Sequence, residues 1–279
     1  MKIVQQHIVR HQEQFSDHPF FARLATDPPF ERLAPFPVCL TFFVMTFQDI
    51  LRLCDERATE PGYKSMVHRH RLEDAGHDRW FLGDLAALGL EPPAAAELFG
   101  ERHRAARNAS LALLSEALRA RHDACRLTLL LTLESAGHVF FERVARYLAR
   151  IGERRRLRYF SQTHLDVEKA HDVFEEDTDA RIEAIALDQE TRTEALQLID
   201  RCYRELTGMF DAIEAQIAAG AARPALAPSR PRSAREAARG AAQGAALRVV
   251  RTPGPRAVRT PGPRPFARRA PRGDGGSPG

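Results

Sequence analysis

In His164-Leu165-Asp166-Val167-Glu168-Lys169-Ala170-His171, two imidazoles and a carboxylate stand at positions i, i+4 and i+7. An α-helix gathers that spacing on one side of its axis: at ~100° per residue the three directions fall within roughly 60° of arc. The same order, His-x3-acid-x2-His, occurs about ninety residues earlier in His70-Arg71-Leu72-Glu73-Asp74-Ala75-Gly76-His77. A third segment sets Glu134 and His138 at i and i+4, directly after the Leu-rich run Leu127–Leu133. A fold that uses these spacings is helical in at least three places.

The rest of the chain agrees. No window alternates with period two, so no strands are expected. A polar helix with His7 and His11 is expected over Ile3–Phe15. A short element follows His18-Pro19 and ends at Asp27-Pro28-Pro29. Longer helices are expected over Val38–Arg57, Tyr63–Leu88, Ala94–Arg121 with a break near Gly100, Ala124–Arg150 with Asp123 as its cap, Leu157–Glu176 and Ala180–Ala219. The prediction is an all-α bundle of about seven helices. Asp49, the odd acid in an apolar helix, is expected on the exposed seam rather than as a ligand.

Beyond Gly220 the composition changes. Residues 223–279 hold thirteen Arg, no Lys and only Glu236 and Asp274 as acids, a charge of about +11 in a chain whose total is +4. The body, Met1–Ala222, is therefore about −7. The tail repeats Val-Arg-Thr-Pro-Gly-Pro-Arg at 250 and 258. Such a segment cannot bury enough apolar surface to offset its ordering entropy. The expected division is a helical domain over 1–220 and a disordered Arg/Pro/Ala/Gly-rich tail over 221–279.

The four cysteines, Cys39, Cys54, Cys125 and Cys202, show no CxxC spacing and sit in apolar helical surroundings, as buried free thiols do. The N-terminus has no apolar signal region, and the apolar run Val38–Phe47 is too short to span a bilayer. A cytoplasmic protein without a membrane partner is expected.

Imidazoles and carboxylates on facing helices of a bundle are the donors of iron and manganese centres that handle dioxygen. Carboxylates bridge cations and neutralise charge, and neutral imidazoles complete the coordination. The supply here is His70, Glu73, Asp74 and His77, then Glu134 and His138, then His164, Glu168 and His171. No Cys lies among them, which argues against a thiolate zinc site. Any one cluster alone reads better as a solvated helix face; the repetition of the pattern, with the acid that follows the Leu run, favours a metal.

On these residues the chain resembles the haem-oxygenase-like fold, and within it the di-iron oxidase and oxygenase branch. That branch shows a first metal helix ending in His, a lone Glu on the next, and then His-x3-Asp/Glu-x2-His. His77, Glu134 and the triple His164, Glu168, His171 match that order, at intervals of 57 and 30 residues. The likeness covers roughly His18 to Ile217. It implies an enzyme that uses two ferrous ions to activate dioxygen and oxidise a small organic substrate. Many members carry a Glu seven residues before the first motif's His. This chain has His70 there, so either His70 replaces that carboxylate or Asp74 serves, and one or two ions stay open. Gly76 and Gly137 would permit close helix approach near the site, or serve simple packing. Phe42, Phe43 and Phe47 either line a substrate pocket or pack as plain core.

Two other readings compete. In metal-free relatives of the same fold, thiaminase-like enzymes use a Cys nucleophile, here Cys125 or Cys39, and cofactor-synthesis oxidases use His and Tyr. A haem-degrading relative would need an axial His such as His11 or His18. Neither accounts for two matched His/acid triples. Alternatively the chain is a non-catalytic helical interaction protein whose basic tail attracts nucleic acid. The tail has only Phe266 for base stacking, so nucleic acid is not an expected partner. Dioxygen and a small molecule are the expected partners, with no reductant identified and a homodimer compatible.

Overall fold

The computed structural model describes residues 1–166, 180 and 182–221. No described residue is in a strand, helical residues stand at 162–166 and 182–184, and eleven α-helices and one 3-10 turn lie wholly within the described residues. In chain order these are α1 (Lys2–Ser16), α2 (Pro19–Leu24), α3 (Phe30–Leu33), α4 (Pro35–Cys39), α5 (Thr41–Arg57) and α6 (Pro61–Glu73). There follow α7 (His77–Ala87), α8 (Ala95–Leu98), the 3-10 turn Glu101–His103, α9 (Arg104–Arg119), α10 (Asp123–Arg150) and α11 (Gln189–Ala221). Helix α10 packs along α11, α1 lies against both, α9 joins α11 to α5, and α6 bridges α5 and α10. Contacts divide the chain into Met1–Ala225 and Leu226–Gly279, and the second unit lies outside the described residues.

The all-α class is as expected, but the helices are more numerous than seven because local chemistry breaks the longer ones. Pro19, Pro35 and Pro61 each open a helix, where a missing N–H costs nothing. Pro35 thereby separates α3 from α4, and α5 starts anew at Thr41 after Leu40. Phe30–Arg57 is long and apolar enough to cross a membrane by length and composition alone. Here it is broken, and Leu33, Phe36, Cys39, Ile50, Leu51 and Cys54 are buried in the core. Phe20, Phe36, Phe140 and Phe210 join α2, α4, α10 and α11 through edge-on and tilted ring contacts with centroids 5.1–6.4 Å apart. Asp49 is exposed beside Arg52 at 3.2 Å, on the solvent seam.

Three expected boundaries move. The helix expected from Tyr63 to Leu88 ends at Glu73 and restarts at His77, because Gly76 adopts φ 92°, a left-handed conformation that stops the helix. The helix expected from Leu157 begins only at residue 162. Residues 185–188 are not helical, and α11 starts afresh where the Asp188 carboxylate accepts the Thr191 N–H at 2.7 Å. Asp123 does not cap its own helix: its Oδ2 accepts the N–H groups of Thr59 and Glu60, each at 2.7 Å, and so caps the entry to α6.

Candidate metal centre

Asp74 closes α6, and the Asp74-Ala75-Gly76 turn swings the chain into α7. His70, Asp74 and His77 therefore do not share one continuous helical face, as their spacing implied. The turn brings them together by another route. Asp74 Oδ2 lies 3.1 Å from His70 Nε2, and Oδ1 lies 3.0 Å from His77 Nδ1. Gln48 on α5 donates to the Asp74 carbonyl at 3.0 Å and fixes the turn. Gly76 allows this bend through its dihedral angle and not by close helix approach, since nothing stands within 4 Å of where its Cβ would be.

Glu134 arrives from α10 with its Oε2 3.5 Å from His70 Nδ1 and its side chain half exposed. That separation is longer than an ordinary hydrogen bond. His70 is thus held between two carboxylates. Burial alone would lower its pKa, but the hydrogen bond to Asp74 and the charges of Glu134, Asp74 and Glu73 outweigh burial and raise it to about 9. Burial would likewise raise Asp74, yet hydrogen bonds from His70 and His77 hold that carboxyl well below the usual range.

His164 joins from the helical segment at 162–166 and is fully buried. Its ring centroid is 4.5 Å from that of His77 and 3.9 Å from Phe141, with Tyr159 and Trp80 also around it. Its Nδ1–H donates to the Tyr159 carbonyl at 2.8 Å, which leaves the lone pair of the neutral ring on Nε2. Asp84, buried on α7, sets up that bond by accepting the backbone N–H groups of Arg158 and Phe160 at 2.8 and 2.9 Å. Burial pushes the Asp84 pKa up, against the pull of these backbone hydrogen bonds. Its one sequence signal is register, since Asp84 stands three residues after Phe81 and seven after His77, on the buried side of α7.

The structure therefore brings His70, Asp74, His77, Glu134 and His164 to one place. Glu168 and His171 lie outside the described residues. His138 is exposed and does not line the cavity beside the cluster. The chemistry of the donor set fits a transition ion: His77 Nε2 is buried and has no hydrogen-bond partner among the described residues, while its Nδ1 is held by a carboxylate. That is how ligating histidines are oriented.

The cavity has a volume of about 150 Å³. Its wall is apolar, with Phe43, Phe47, Leu131, Phe140 and Met209. The polar exceptions gather around His70, Asp74, His77 and Glu134. Phe42 does not line the cavity and packs edge-on against Phe99. Gly137 lines it, and a Cβ there would meet only Phe141, at 3.7 Å.

The residues of the competing readings are otherwise engaged. His18 caps α2, accepting the Phe20 N–H, and its Nε2 meets Asp211 at 3.1 Å. His11 is bound to Asp200. Burial pushes the Cys125 thiol up to about 12 and raises Cys39, so neither is a ready thiolate. All four cysteines are free and buried. Comparison with protein-family models and with curated proteins finds no match to this chain.

Proposed function

We propose that this chain is a non-haem iron oxidoreductase of the haem-oxygenase-like kind, acting in the cytoplasm on a small organic substrate with dioxygen. One observation carries the reading: His70, Asp74, His77 and Glu134, from three separate segments, line an apolar cavity, and the buried His164 ring from a fourth meets His77 edge-on with centroids 4.5 Å apart. His77, His164 and Glu134 are the ligands supplied by the described residues, and Glu168 and His171 complete the set by their spacing with His164. Ferrous iron, two ions in the reading we favour, would supply the electrons that activate dioxygen.

The protein's own contribution is orientation and exclusion of water. Asp74 fixes the His77 ring through Nδ1, and the Tyr159 carbonyl fixes His164 in the same way. The position usual for a carboxylate is taken by His70, which favours Asp74 and Glu134 as the negative charges that offset bound cations. Phe43, Phe47, Phe140 and Phe141 keep the space beside the cluster dry. A cavity of about 150 Å³ suits a benzene-sized molecule, so the substrate is small and mostly apolar.

The test is anaerobic reconstitution of the full chain with ferrous iron, metal analysis, and an absorption spectrum on exposure to oxygen. Uptake of about two equivalents with an oxygen-dependent spectral change is expected. A chain that takes up no iron beyond weak surface binding would leave the metal-free reading in its place.

A further inference from the structure

A second group of metal-type donors stands where α1 meets α11. His7 and His11 are one helical turn apart on α1, beside the buried stripe of Val4, Ile8 and Phe15. Asp200 faces them from α11. His7 Nε2 lies 2.6 Å and His11 Nε2 2.8 Å from the same oxygen, Asp200 Oδ1. The three donor atoms are all within 4.8 Å of one another. None belongs to the cluster around Asp74.

The arrangement is held in place before any ion arrives. The His11 ring stacks on Tyr203 with centroids 5.1 Å apart and planes 13° from parallel, and His7 meets it edge-on at 4.8 Å. Tyr203 is itself fixed, since its hydroxyl is 3.0 Å from Ser135 Oγ on α10. Ordering donors in advance removes the main entropic cost of ligation. Asp200 supplies the negative charge: burial would raise its pKa, but hydrogen bonds from His7 and His11 outweigh that and lower it. The side chains are 20%, 21% and 45% exposed, so an ion reaches them from solvent and one face stays open to water.

We infer that His7, His11 and Asp200 form a separate, exchangeable site for a borderline divalent ion of the zinc class. Two imidazoles and one carboxylate with an open position are a familiar donor set for Zn²⁺, with bonds of ~2.0–2.2 Å. The ion would replace the two hydrogen bonds to Asp200 Oδ1 after small side-chain rotations. Because its ligands come from α1 and α11, which stand 189 to 193 residues apart in sequence, it would also fasten the ends of the bundle.

The experiment uses the full chain stripped of metal, with Co²⁺ as the spectroscopic probe and Zn²⁺ as competitor, in a His77→Ala background that weakens the cluster around Asp74. One tight site is expected to remain. Adding Asp200→Asn, or His7→Asn with His11→Asn, should weaken it on the order of 100-fold, the upper end of what removal of a mere orienting partner costs. Zn²⁺ should raise the melting temperature of the background protein and not of the Asp200→Asn variant. If His77→Ala fails to fold, the intact chain is titrated instead and Asp200→Asn should lose one equivalent of Co²⁺. The inference is overturned if Zn²⁺ affinity and stoichiometry are unchanged by the His7, His11 and Asp200 substitutions, or if no micromolar site exists.

Discussion

Asp84 Oδ2 accepts the backbone N–H of Phe160 at 2.9 Å, so a carboxylate on α7 shapes the turn that aims His164. Asp84→Asn would set an amide against one of two buried N–H donors. It should destabilise the fold by ~1–3 kcal/mol, the usual cost of an unsatisfied buried group. It should also lower iron uptake, although Asp84 touches no ion. Denaturant unfolding and metal analysis check both effects. Lost stability with full iron content would show that Asp84 supports packing and not the orientation of His164.

Gly76 and Gly83 make a paired test of the bend between α6 and α7. Neither has any atom within 4 Å of an added Cβ, but only Gly76 sits at positive φ, at 92°. Gly76→Ala should cost ~1–2 kcal/mol, the penalty of a left-handed alanine. Gly83→Ala, in the exposed middle of α7, should gain ~0.5–1 kcal/mol from helix propensity. Equal effects in thermal melts of the two variants would count against the bend as the reason for Gly76.

Much of this was legible in the sequence, and what was not has physical causes. The first His/acid triple and the Leu-rich run before Glu134 pointed to residues that line the cavity, although His70, Asp74 and His77 meet there across a bend and not on one helical face. Glu168 and His171 of the second triple lie outside the described residues. The bend at Gly76 was not legible, since a glycine inside an apolar pattern reads equally as tolerated helix. Asp84 escaped because its partners, the N–H groups of Arg158 and Phe160, lie more than seventy residues away. His7 and His11 were visible as a polar pair, but Asp200 joins them only through packing of the chain's two ends.

Acid should loosen the α5–α6 junction. Asp55 is buried and meets Lys64 at 2.7 Å, His68 at 3.1 Å and Arg71 at 2.7 Å. Burial alone would raise its pKa, but hydrogen bonds from these three groups outweigh it and hold the carboxyl well below its usual range. A depressed folded pKa gives stability that is complete above the unfolded value of ~4 and is lost as pH falls below it. Asp55→Asn should therefore cost ~1–3 kcal/mol at pH 7. The gap between wild type and variant should shrink as pH drops from ~4 towards 2, the window below the unfolded value. Urea unfolding at both pH values measures it, and a constant gap would exclude the carboxylate as its source.

Native thiols should be inert. Burial pushes Cys54 and Cys125 up to about 12 and raises Cys39 and Cys202 as well. Alkylating reagent at mildly basic pH should label none of them in the folded protein and all four after denaturation, read by intact mass. Rapid native labelling of Cys125 or Cys39 would revive the nucleophilic-cysteine reading.

The sharpest comparison sets His77 against His122. His77 is buried, with Nδ1 on Asp74 and Nε2 available to an ion, and His77→Ala removes that imidazole while leaving Asp74 bound to His70. His122 flanks the start of α10, is only partly buried and takes no part in the cluster. His103 is unsuitable as a control because it is buried, with a backbone hydrogen bond to Cys39. His77→Ala should cut iron content by at least half and abolish the oxygen-dependent spectrum. The bundle should stay folded, since core packing supplies most of the stability in a domain of this size. His171→Ala should behave like His77→Ala if its spacing with His164 reflects shared ligation, and His122→Ala should match wild type. Circular dichroism separates lost ligation from lost structure. If His77→Ala and His171→Ala kept full iron while His122→Ala lost it, the assignment of ligands would be wrong.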